Sequence, residues 1–104
     1  MAVRIPRNRR PTSPGEILRE HYLTPRKVTV SDFAQAAGIS RKHMSNIVNG
    51  NARIEATLAH KIAVVLGTTP QFWLNLQSAV DIYDAQQELK GWKPEFTFPA
   101  EMVA

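Results

Sequence analysis

The chain contains no cysteine. Disulfide scaffolds, thiolate metal sites and cysteine nucleophiles are thereby excluded, and the composition suits a reducing compartment. No apolar run approaches the roughly 18 residues that a membrane-spanning helix needs. The N-terminal MAVRIPRNRR is basic, but no apolar segment follows it, so it does not read as a secretory signal. There is no glycine-rich phosphate loop and no nucleophile–base spacing. His21, His43 and His60 stand at no metal-ligand spacing from one another. Nothing in the sequence therefore supplies a catalytic residue, a metal or a cofactor, and an enzyme is set aside. One further absence is local. Between Asp32 and Glu55 there is no carboxylate at all. A surface built to face phosphates needs that gap, because each acid would repel the nucleic-acid backbone.

What is present fits one folded domain: 104 residues with 43% apolar content. The net charge of +4 is unevenly spread. Residues 1–66 hold eleven Lys and Arg against four Asp and Glu, whereas residues 67–104 hold two against five. The first part suits an anion, and nucleic acid is the common polyanionic partner, with a solvated basic surface as the alternative. Most of the Phe and Trp lie in the second part, away from the cations. That separation argues against an RNA-binding module, in which stacking aromatics accompany the basic patch.

The pattern along the chain is helical. Residues 1–12 hold Arg4, Arg7, Arg9 and Arg10 with no apolar period and read as a basic flexible arm, able to track phosphates or enter a minor groove, with a disordered, solubilising tail as the alternative. SPGEILREHYL opens a helix, with Ser13 as cap, Pro14 in the first position and Glu16 in the first turn. Ile17, Leu18 and Tyr22 reach the core, and Pro25 ends the element. In TVSDFAQAAG, Thr29 and Asp32 form a T-x-x-D capping box, and Val30, Phe33, Ala34 and Ala37 make one buried face. Gly38 supplies a left-handed terminus and Ser40 caps the next helix at once, which is the helix-turn-helix signature. That third helix runs from about Arg41 to Asn49 and ends at Gly50, and NARIE is a loop. ATLAHKIAVVLG is a fourth helix with Leu58, Ile62, Val65 and Leu66 inward. A fifth begins with Thr69 as cap and Pro70 in the first position, with Phe72, Leu76, Val80 and Tyr83 as its core stripe and Trp73 beside it. Residues 13–90 thus make a helix-turn-helix domain, and 91–104 form a C-terminal extension. Phe96 and Phe98 alternate there with polar neighbours, as in a short strand or an extended packing arm.

The third helix carries two kinds of residue. On a helical wheel Met44, Ile47 and Val48 share the inner side, while Lys42, Asn46 and Asn49 lie opposite, flanked by His43 and Ser45. Lysine bonds guanine O6 and N7, and asparagine bonds adenine N6 and N7, across the major groove. Lys42, His43 and Asn46 are therefore expected at base edges. Arg41, Ser45, Asn49 and Arg53 are expected at the DNA backbone.

The segments PGEILREHYL, FAQAAGISRKHMSNIVNG, LAHKIAVVLGTTPQFWLNLQ and AVDIYDAQ resemble the HigA-type antitoxins of bacterial toxin–antitoxin modules, within the Xre-like helix-turn-helix class. The likeness spans roughly residues 13–88. Phage repressors share the helix-turn-helix portion, and GTTPQFWLNLQ together with PGEIL narrows it to this family. The resemblance implies an all-α, five-helix lambda-repressor-like fold. It implies a cytoplasmic homodimer that binds a palindromic operator, represses its own operon and neutralises a small basic RelE/HigB-like mRNA-cleaving toxin. Family base contacts fall on Ser40, His43 and Asn46. Relatives often carry Thr or Arg at the positions of His43 and Asn46, so the operator sequence is expected to be the chain's own. Two third helices would lie about 34 Å apart on DNA. On the residues themselves, the fifth helix and the tail with Trp92, Phe96 and Phe98 offer a dimer surface, with a tail folded back on its own chain as the alternative, and Asp81, Asp84 and Glu88 offer an acidic face for a basic toxin, with a solvated face as the alternative. The competing reading is a stand-alone, phage-type repressor without a toxin.

Overall fold

The computed structural model describes residues 9–99. The first helix has two parts: α1 (Pro14–Ile17) runs directly into a π-helical segment (Leu18–Leu23). The others are α2 (Val30–Ala37), α3 (Arg41–Val48), α4 (Ala56–Leu66) and α5 (Pro70–Glu88). No strand occurs among the described residues, so the all-α, five-helix expectation holds and the strand option for the tail does not. The arm arginines Arg4 and Arg7, and the end of the extension, lie outside the described residues.

Local chemistry explains the helix boundaries. Ser13 and Glu16 form a complete capping box: the Glu16 N–H donates to Ser13 Oγ at 3.2 Å, and the Ser13 N–H to Glu16 Oε1 at 3.3 Å. In the wider π-helical turn Leu18 and Leu23, five positions apart, are both buried. Thr29 caps α2 by accepting from the Asp32 N–H at 3.0 Å. Gly38 (φ 69°) and Gly67 (φ 75°) take the left-handed terminus after α2 and α4, which an L side chain resists. Glu55 precedes α4 without a side-chain cap and faces Arg53 at 3.2 Å instead.

The core joins all five helices. Leu18, Leu23, Phe33, Ala34, Met44, Ile47, Ile54, Leu58, Ile62 and Trp73 belong to one buried cluster. The two expected stripes on the later helices need correction. On α5 the buried positions are Trp73, Gln77 and Val80, spaced i, i+4, i+7, while Phe72 stays 38% exposed and Leu76 only packs at the edge. Val80 is buried as expected, while Trp73 and Gln77 take the inward places read for Phe72 and Leu76 because the indole fills the centre. Trp73 Nε1 donates to Thr68 Oγ1 at 2.7 Å, which satisfies its one polar atom in the interior. Tyr22 and Phe72 pack around it with ring centroids at 5.3 and 5.0 Å. On α4 the inward set is Leu58, Ala59, Ile62 and Ala63, and Val65 lies at the surface. No helix among the described residues is long and apolar enough to cross a membrane.

Candidate nucleic-acid interface

The third helix is held by α2 and α1. Met44, Ile47 and Val48 are buried, as their spacing on the wheel predicts. α2 and the three-residue turn of Gly38, Ile39 and Ser40 fix its start. Its far end meets α1 at Gly15, where an added Cβ would overlap the Ile47 carbonyl oxygen. Only glycine allows that approach.

This packing leaves Arg41, Lys42, His43 and Asn46 exposed on the outward face, with Ser45 half-buried and Asn49 exposed at the end. Among the described residues, the side chains of Arg41, Lys42, His43 and Asn46 hold no partner in the chain, so their donors and acceptors point to solvent. No carboxylate stands on α3 itself. Ser40 Oγ is occupied as the cap, accepting the His43 N–H at 3.0 Å, which leaves its hydroxyl proton to donate outward. Asn49 is engaged on both sides. Its Oδ1 accepts from Arg19 Nη1 at 3.2 Å, and its Nδ2 donates to Ser45 Oγ at 3.5 Å.

His43 also lines a groove of about 900 Å³ that runs from α3 past the loop at residues 50–55 to α5. Arg10, Arg53, Lys61, Asp81 and Asp84 line the same groove. His43 thus stands at the edge of the outward face rather than at its centre.

Arg53 is already committed within the chain. Its Nη1 and Nη2 donate to the two Asp81 carboxylate oxygens at 2.9 and 2.7 Å. Arg10 also makes a two-pronged contact, its Nε and Nη2 donating to the two Asp84 carboxylate oxygens, both at 2.9 Å. Each guanidinium holds its carboxyl below the usual carboxylate range, and Gln77 adds a hydrogen bond to Asp81 at 3.1 Å. The stability these exposed pairs contribute is present above the ordinary carboxylate pKa and is lost as pH falls through the lowered one. The free acidic face expected on α5 is therefore corrected: two of its three acids, Asp81 and Asp84, are neutralised by arginines from the basic part of the chain.

Sequence reasoning missed four supporting residues. Gln77 is buried, and its Oε1 accepts the Ile54 N–H at 2.8 Å, tying the loop after α3 to α5. A polar residue at a core position of α5 was the available signal. Thr68 anchors the indole, so the doubled threonine before Pro70 has two uses: the first binds Trp73, and the second caps α5 by accepting the Phe72 N–H at 3.2 Å. Gly15 has the close approach described above. Arg19 reaches α3 from a distant part of the chain, which no local pattern announces.

Residues 20–71 match the Cro/C1-type HTH DNA-binding domain. An uncharacterised HTH-type transcriptional regulator of Haemophilus influenzae is 47% identical over 92 residues, covering 83% of this chain and 86% of that protein. Antitoxin HigA-1 of Vibrio cholerae is 45% identical over 92 residues, covering 85% of this chain and 87% of its own. Among solved structures, the Pseudomonas aeruginosa antitoxin HigA with higBA promoter superposes with a TM-score of 0.79 at 30% identity, over 88% of this chain and 99% of that one.

Proposed function

The chain belongs to the HigA-type antitoxins within the Cro/C1-type helix-turn-helix family, and from that premise we propose that it represses its own operon from a palindromic operator and neutralises a RelE/HigB-like toxin. The observation that carries the DNA reading is the outward face of α3, polar, free of carboxylates and, among the described residues, unpartnered at Arg41, Lys42, His43 and Asn46. In this reading Lys42 and Asn46 meet base edges from the centre of the face, with Ser40 and His43 at its start and rim. Arg41, Ser45 and Asn49 hold the backbone. A homodimer places two such helices about one turn of DNA apart. Trp92, Phe96 and Phe98 stay largely exposed in the monomer, which supports the tail as part of a contact surface. The domain limits 13–90, with an arm before and an extension after, belong to the same proposal.

The experiment is a gel shift with the DNA upstream of the gene, run with and without the product of the neighbouring gene. Retardation by the chain alone, together with rescue of growth from that product, is the expected result. Retardation without any growth-inhibiting partner would leave the stand-alone repressor in its place.

Arg53 reaches a phosphate only by leaving Asp81, so Asp81 acts as a competitor for it. Asp81→Asn is expected to raise affinity for duplexes of any sequence and to steepen the dependence of binding on salt by about one ion, as one phosphate contact does. Fluorescence anisotropy at several salt concentrations measures this. The gain should vanish when Arg53→Ala is added, which separates release of the guanidinium from simple loss of a negative charge.

A further inference from the structure

We infer that Arg19, on the first helix, is a positioning residue of the DNA interface: it orients the Asn49 amide so that this end of α3 presents an N–H donor to a phosphate. The inference rests on the reading of α3 as the DNA-facing helix. An asparagine amide can turn its oxygen or its nitrogen outward, and the two choices have opposite meanings beside a phosphate. An outward oxygen repels it, and an outward nitrogen binds it. Arginine only donates, so it accepts one orientation of its partner. Arg19 Nη1 lies 3.2 Å from Asn49 Oδ1, which fixes the oxygen toward the first helix. The nitrogen then turns the other way, 3.5 Å from Ser45 Oγ, with one N–H bonded there and the second without a partner among the described residues. The result is a short chain of hydrogen bonds from the first helix across Asn49 to Ser45, both residues of the third-helix segment assigned to the DNA backbone.

Arg19 itself is unsuited to act as the phosphate contact. Its Nη2 is paired with Glu20 Oε2 at 3.2 Å, so its charge is offset on the same helix. Its effect is therefore exerted through Asn49. Arg19 also brings a cation to the C-terminal end of α3, whose own last turn has none.

The test uses the full chain with Arg19→Met, Asn49→Ala and the double variant, titrated against the upstream DNA at several salt concentrations. Arg19→Met keeps the length of the stem and removes the donors. Each single change should weaken binding about three- to tenfold, the size of one hydrogen bond. The double variant should be no weaker than Asn49→Ala alone, and the salt slope should stay the same in Arg19→Met. Additive losses would overturn the inference, and so would a salt slope reduced by about 0.9, since that marks a direct phosphate contact. A second readout needs no DNA. In ¹⁵N-resolved spectra of the free protein, the Asn49 side-chain amide should shift toward the positions of a freely rotating amide in Arg19→Met, and an unmoved pair would also overturn the inference. Failure of the wild-type chain to bind DNA would count against the DNA reading, while the amide signal still reports on the Arg19–Asn49 contact.

Discussion

Gly15→Ala is expected to cost about 3 kcal/mol, at the upper end of what overpacking usually costs. The Cβ would collide with the Ile47 carbonyl oxygen, which is backbone inside α3, and with no flexible side-chain tip that could swing away. Relief requires α1 and α3 to separate. Leu18 lies three positions further along the first helix and shares the buried cluster with Met44 and Ile47 of α3, all three without exposed surface, so separation opens the centre of the core. A urea titration followed by circular dichroism would show the midpoint falling with the slope preserved. Operator affinity should fall further than the loss of folded protein accounts for, because the variant that remains folded carries α3 in a shifted position. If alanine is accepted with a change under about 1 kcal/mol, the close approach is not what holds the helix.

Trp73→Ala should be the most destabilising single truncation, at about 3–5 kcal/mol for a fully buried large aromatic. Trp73 has no exposed surface and touches both Tyr22 of the first helix and Phe72 of its own. Its loss leaves a cavity between the first helix and α5 and takes the partner from Thr68 Oγ1. Trp73→Phe separates the two effects. It keeps much of the ring volume but removes the N–H, so it should cost roughly half as much. The thermal midpoints of the two variants, measured against wild type, check the order. Equal midpoints for alanine and phenylalanine would mean that the indole does not fill the core as described.

These two residues show what a single chain reveals and what it hides. The helix-turn-helix was legible because its determinants are local: Thr29, Gly38 and Ser40 act on neighbours no more than four positions away. The inner and outer sides of α3 were legible for the same reason, since periodicity alone separates Met44, Ile47 and Val48 from Lys42 and Asn46. Gly15 was visible as part of PGEIL, but its partner lies 32 positions on, and only packing reveals the carbonyl that excludes a side chain. On α5 Phe72 and Trp73 are adjacent aromatics and periodicity alone did not choose between them; the buried indole with its Thr68 acceptor shows which one faces the core. The acids of α5 looked like a free surface because their arginine partners, Arg53 and Arg10, stand 28 and 74 positions away. Charge counts by segment cannot register pairing between segments. The basic and acidic parts of the chain are thus joined at two bidentate contacts, and Arg53 is the residue whose expected role this changes most.

The DNA reading depends on the centre of the outward face of α3. Its most direct test is an anisotropy titration of wild type, Lys42→Ala and Asn46→Ala on the upstream DNA and on a shuffled duplex of the same length. Both side chains are exposed, so folding should be unaffected. Each variant should lose about 1–3 kcal/mol on the upstream DNA. Asn46→Ala should lose little on the shuffled duplex and should relax discrimination at one base pair. Unchanged affinity of both variants for the upstream DNA would contradict the account, because the face presented by α3 would then not be the one that reads sequence.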